Sequence, residues 1–422
     1  MQKIPMIHKL TKALVIALIF LLPTLMATVA SSVSTSYLLI LIIGLFNYKK
    51  IAKNPLGQSE KLVLLGFLGV FVIYLMGMLN SNDIYKGFKV LGKFHYFLFA
   101  IPVYFILKKY KNILWKNLDI SFIIAGLSLL LFLIINKNSD GAYHTIMYGS
   151  FAMLIAGANL LTYTLTDKNI LMKSLLLASG VAAIAASLIV GARGSWVALP
   201  ILAILLLILF VKRSNTRQRI TVLIVLLVLA ISSVIMTHPE KTSTRYNAAM
   251  QNLTQFIQDE SAQEADFQLT STGARLAFWK SSIETFKINP IFGSGSGDFK
   301  LELNQFIKNN PKYEALGVGV FGTAHSIYFE WLALFGGLGF IGLMTVVFLL
   351  PLQYFYREIK NNSQSLVPAI IGVWIVLSHL IFGLTETWIV RSAPNGVYVF
   401  YILLFMAFCH QPIKTNSRKP SS

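Results

Sequence analysis

The chain alternates long apolar runs with short basic interruptions, and one interruption is unlike the rest. The apolar runs lie near residues 11–28, 33–48, 62–79, 94–107, 120–135, 143–165, 174–190, 196–211, 220–237, 326–350, 366–384 and 397–410. Runs of about 20 apolar residues cross a membrane as helices. The pattern therefore predicts an all-α polytopic membrane protein with about twelve transmembrane helices, the second and fourth being the shortest. Between the ninth and tenth lies His238–His325, the one long polar segment, which holds nine of the 17 acidic residues. Long loops inside a compact protein usually cover or build a site. The expected organisation is helices one to nine over 1–237, an outer helical loop over 238–325, and helices ten to twelve with an inside tail over 326–422.

Within the loop, Thr244–Gln258 carries Ala249, Leu253, Phe256 and Ile257 at helical spacing. A second amphipathic helix opens at Ser271–Lys280, with Thr272 placed to cap it. Asn289–Phe299 is rich in glycine and reads as a tight turn. The seventh run is full of Gly, Ala and Ser between Ala178 and Ser187. Small residues let helices approach closely, so this span is expected at the centre of the bundle.

Composition agrees: 55% of residues are hydrophobic and 13% charged, with mean hydropathy +0.67. Soluble domains carry about 25% charged residues. The net charge of +19 would suit a nucleic-acid binder, but the positions of the charges exclude that reading. With an inside amino terminus, most of the 36 lysines and arginines fall on inside segments, as the positive-inside rule requires. Residues 1–30 imitate a signal peptide, yet eleven more apolar runs follow, so a retained anchor is expected. Cys409 is the only cysteine, so no internal disulfide forms.

The few outer basic residues need another explanation. Arg193 is held at the outer surface by Gly191–Trp196, between two runs with almost no loop. Its guanidinium either grips an anionic head group such as a pyrophosphate or snorkels to the interface. Arg275 falls in the first turn of the second loop helix, where free N–H groups and an arginine suit phosphate; it is otherwise an ordinary exposed arginine. Arg245 is a weaker candidate of the same kind, as is Arg391, which has Glu386 near enough to pair with it. Lys86, Lys89 and Lys93 attract either a pyrophosphate head or anionic lipid.

His325 is expected at the amino-terminal end of the tenth span. A helix start disfavours an imidazolium, which leaves a neutral ring able to accept a proton; the alternative is an interfacial cap without chemistry. Glu330 lies about a turn and a half later, off that face, and is expected to orient a partner from another span or to serve as a packing residue. The Gly293–Gly297 run lacks the Lys-Ser/Thr ending and preceding strand of a phosphate loop. No metal site is expected, since the seven histidines are scattered and no HExxH or DxD occurs.

At these residues the chain resembles the O-antigen ligases, bacterial enzymes that join O-antigen to lipid A–core. The resemblance rests on Gly191–Trp196, Arg245–Met250, Thr272–Ala277, Thr323–Ser326 with Phe335–Gly342, and Gly383–Ser392. It implies a metal-independent, inverting glycosyltransferase of the bacterial inner membrane with its site on the periplasmic face and no cofactor. The implied donor is a glycan on undecaprenyl pyrophosphate; the acceptor is a lipid A–core sugar. The resemblance gives Arg193 and Arg275 the pyrophosphate and His325 the acceptor proton; Arg245, Arg391, Lys89 and Glu330 are expected in substrate binding. The histidine span and the Asn289–Phe299 turn also resemble O-antigen polymerases and protein O-oligosaccharyltransferases, which differ in acceptor. A lipid-linked glycan transporter fits less well, because the polar residues are gathered in one outer loop rather than within the spans.

Overall fold

The computed structural model describes residues 3–51, 56–136, 144–213, 271–316 and 318–410. Among them every regular element is helical. The chain runs through α1 (Lys3–Thr28), α2 (Ser32–Ile51), α3 (Gln58–Gly77), α4 (Ile84–Gly92), α5 (His95–Leu98) and α6 (Ala100–Ile135). It continues through α7 (Thr145–Leu165), α8 (Ile170–Ile189), α9 (Arg193–Trp196) and α10 (Ala198–Arg213). After α11 (Ser271–Ile288) and α12 (Phe299–Asn309) come α13 (Ile327–Met344), α14 (Leu350–Asn361), α15 (Leu366–Thr385) and α16 (Ser392–Cys409). The expected ninth span and the expected helix at Thr244–Gln258 lie outside the described residues.

Eight described helices are long and apolar enough to cross a membrane, and two shorter apolar helices, Ser32–Phe46 and Arg193–Leu209, accompany them. The chain is a multi-pass membrane protein. Its outward faces carry large exposed apolar side chains such as Leu65, Leu131, Ile204 and Ile341, as a lipid-facing surface requires.

Two expectations need correction. The fourth and fifth spans form one helix, α6, of 36 residues, about 54 Å at 1.5 Å per residue. The charged interval between them, Lys108–Asp119, contains neither Gly nor Pro, so nothing breaks the backbone ladder. Lys108, expected in an inside loop, is instead buried, with its ammonium 3.3 Å from the Glu60 carboxylate of α3. Secondly, the small-residue span α8 is not the innermost. Its apolar window is 44% buried, against 83% for α7 and for α16. The small residues serve one face only: at Gly126 of α6 a Cβ would come within 2.5 Å of the Ser179 carbonyl oxygen. The other face of α8 carries exposed Leu171, Leu175 and Ile189.

The bundle has two polar ends. At one, Glu60 accepts from the Gly57 N–H at 2.7 Å and from the Tyr104 hydroxyl, and lies 2.9 Å from His410 Nδ1 at the end of α16. At the other end, α16 begins beside Glu386 and Arg391. The 18 residues of α16 separate the two ends by about 27 Å.

The glycine turn organises the second end. Gly293, Gly295 and Gly297 all have positive φ, and so does Gly336, which kinks α13. The turn wedges into that kink: Ser294 N donates to Ala333 O and Gly295 N to Leu334 O at 3.0 Å, while Gly337 N donates to Pro290 O at 2.8 Å. On its far side Ser296 N donates to Gly77 O. Asp298, fully buried, accepts from Ser81 Oγ, the Asn82 N–H and the Asp83 N–H at 2.6–3.0 Å. The turn is thus a strut between α3 and α13, with no phosphate cradle in it.

Candidate active site

His325 stands just outside α13, two residues before its first turn, with φ +49. A left-handed histidine is uncommon and persists where its surroundings hold it. Two contacts do so. The buried Glu330 carboxylate accepts the Ala324 N–H at 3.0 Å, one residue before the histidine. The imidazole also stacks on Phe278 of α11 at 5.5 Å and meets the edge of Phe321 at 5.6 Å. Glu330 therefore restrains its own loop, where either a partner on another span or a packing role was expected.

The ring Nδ1 lies 3.3 Å from Glu386 Oε2. Glu386 closes α15 and is 2% exposed. Its other oxygen accepts from Arg391 Nη2 at 2.9 Å and from the Thr387 N–H at 3.2 Å. Burial pushes the Glu386 carboxyl up, but the hydrogen bond to His325 and the charge of Arg391 outweigh it and hold it down at about 2. An ionised carboxylate beside Nδ1 selects the tautomer with hydrogen on Nδ1. Nε2, which makes no hydrogen bond among the described residues, then carries a free lone pair. The expected pairing of Arg391 with Glu386 is present; the larger role of Glu386 as the carboxylate behind His325 was not anticipated. The only signal in the sequence is a lone acid at the outer end of an apolar run.

The arginines gather on the same side. Arg193 is exposed on the short α9, which Ser187 and Ser195 brace through a 2.9 Å hydroxyl contact. Gly194 lets α9 press against the end of α15: a Cβ there would stand 2.5 Å from Thr385 Oγ1, next to Glu386. Arg275 projects from α11, the helix that also carries Phe278. Burial lowers the Arg275 guanidinium below its ordinary range, and the charge of Arg193 lowers it further while Glu386 opposes both. Arg193, Arg275, Arg391, Glu386 and His325 thus form one electrostatic cluster. Arg245 lies outside the described residues. Lys89 is not in the cluster: it lines a separate cavity with Lys86 and Lys93, on whose wall Glu330 also lies.

Chemically, the cluster combines an imidazole backed by a buried carboxylate with arginines near it. The first accepts a proton and the second holds an anion.

Residues 178–344 match the family model described as O-Antigen ligase, a stretch that includes Arg193, Arg275, His325 and Glu330. Glu386, Arg391 and the outer lysines lie beyond it. An uncharacterized protein of Haemophilus influenzae is 28% identical over 225 residues, covering 53% of this chain and 54% of that protein. The chain spans about half the length of the curated relative it matches. The stretch that holds the histidine, Arg193 and Arg275 is thus similar to the O-antigen ligase family.

Proposed function

We propose that the protein is an O-antigen ligase: an inverting glycosyltransferase that moves a glycan from undecaprenyl pyrophosphate to a sugar hydroxyl of lipid A–core. The site faces the periplasm from the bacterial inner membrane. The observation that carries the reading is the His325–Glu386 pair, 3.3 Å apart, beside Arg275 and Arg193.

Nε2 of His325 takes the proton from the acceptor hydroxyl as that oxygen attacks the anomeric carbon. Glu386 keeps Nδ1 protonated and steadies the imidazolium that forms. The bond from the anomeric carbon to the pyrophosphate oxygen breaks, and its electron pair stays on the pyrophosphate. Arg193 and Arg275 offset that growing charge, with forks that match phosphate oxygens. Attack opposite the leaving group inverts the anomeric centre. The pyrophosphate ester is already activated, so no nucleotide is consumed.

The test is a deletion strain complemented with wild type, His325→Ala, Arg193→Ala or Arg275→Ala, read by lipopolysaccharide banding beside a blot of lipid-linked polymer. Expressed variants that leave core-only lipopolysaccharide while full-length polymer accumulates on the carrier lipid support the ligase. A core bearing a single repeat points to a polymerase. Normal lipopolysaccharide with unglycosylated envelope proteins points to a protein O-oligosaccharyltransferase.

A further inference from the structure

A transferase needs two substrates, and the cluster around His325 accounts for the anion of only one. The outer lysines remain without a task. Lys86, Lys89 and Lys93 are spaced i, i+3 and i+7, which puts them on one face of α4 and its cap. They line a cavity of about 420 Å³ together with Tyr85, Thr323 and Glu330. Among the described residues none of the three makes an ion pair; the Asp83 carboxylate caps the Lys86 backbone N–H at 2.9 Å instead. Three ammonium groups gathered on one cavity repel one another unless an anion joins them.

Burial pulls the Lys93 ammonium below its ordinary range; Glu330 pushes it back up, and Arg391 and Lys89 lower it further. The cavity also reaches Gly322 and Thr323, the stretch that leads into His325. Glu330 connects the two places, since its carboxylate accepts the Ala324 N–H and its charge acts on Lys93.

The surface of α4 indicates what carries the anion. Ile84, Tyr85 and Phe88 are 55%, 83% and 57% exposed, beside the lysines and next to the end of the α3 span. Apolar side chains at that level meet acyl chains while the lysines meet head groups. Both side chains bind phosphate, lysine as a point charge and arginine as a two-pronged fork.

We propose that the lysine cavity seats the phosphate groups of the lipid acceptor, a phosphorylated glycolipid, and so delivers its sugar hydroxyl to His325. This rests on the transferase reading above. It adds a second anion site, lined by neither Arg193 nor Arg275, that chooses the acceptor.

The experiment uses the full-length protein in phosphatidylcholine nanodiscs, titrated with lipid A–core carrying its phosphates, with the same lipid after phosphatase treatment, and with phosphatidylglycerol. Native mass spectrometry reads binding, and transfer from a lipid-linked glycan is followed in the same preparation. The wild type is expected to bind phosphorylated lipid A–core about 10-fold or more tightly than the other two. Lys89→Gln/Lys93→Gln removes that preference and Lys89→Arg/Lys93→Arg keeps it, which separates lost charge from lost fold. The proposal is overturned if the Gln variant keeps the preference, if the wild type has none, or if phosphatidylglycerol binds as well. If the lysine-dependent preference is present but the wild type transfers no glycan to that lipid, the site stands and the ligase reading fails. If transfer proceeds and the Gln variant binds like wild type, the ligase reading stands and the site fails.

Discussion

His325 and Glu386 are 61 residues apart in the chain and 3.3 Å apart in space. One precedes α13 and the other follows α15, so the pair forms only when both helix ends meet at the same surface of the bundle. Replacing Glu386 by Gln keeps the shape but loses the charge that sets the histidine tautomer. The expected result is a kcat lower by about 100-fold or more with little change in donor KM, measured by transfer to acceptor in detergent.

The same carboxylate links stability to pH. Its pKa falls from 4.5 to about 2 on folding. A depressed carboxyl stabilises the folded chain above the unfolded value, and the contribution is lost as pH falls from 4.5 towards 2. The limit is on the order of 3 kcal/mol. Thermal unfolding at pH 6 and pH 3 should therefore separate wild type from Glu386→Gln at pH 6 and bring the two closer at pH 3.

Arg275→Lys is expected to behave more like Arg275→Ala than like wild type. An ammonium keeps the charge but not the two-pronged grip on phosphate oxygens. The donor KM, measured with a lipid-linked glycan, should rise about 10-fold or more in both variants; a lysine variant that matches wild type would deny the fork a role.

The glycine strut makes a sharp structural contrast. At Gly336, φ is +62 and a Cβ would stand 2.7 Å from the Gly293 backbone nitrogen. Gly336→Ala should cost several kcal/mol or prevent folding. Gly92→Ala meets nothing within 4 Å and should shift stability by less than about 0.5 kcal/mol. Detergent-resistant yield and unfolding temperature compare the two.

What the sequence reveals follows from which forces are local. Apolar runs long enough to span are local, so the membrane class and most helices were legible. Arg193 and His325 stood out because each is a charged or titratable residue at the edge of such a run, and Arg275 because it opens a helix of the polar loop. The union of the fourth and fifth spans was missed because Lys108–Asp119 looks like a loop by charge while lacking any helix breaker. Glu386 was seen only with Arg391, five residues away, because the chain separation hides His325. Asp298 likewise read as part of a turn; its partners at 81–83 lie more than 200 residues earlier.

The most direct test of the central claim is single-turnover transfer by purified His325→Ala, with binding of the undecaprenyl-pyrophosphate glycan measured on the same sample. The expected result is donor bound as in wild type and a transfer rate lower by about 100-fold or more. Transfer within a few-fold of wild type would show that the imidazole does not take the acceptor proton, and would contradict the account.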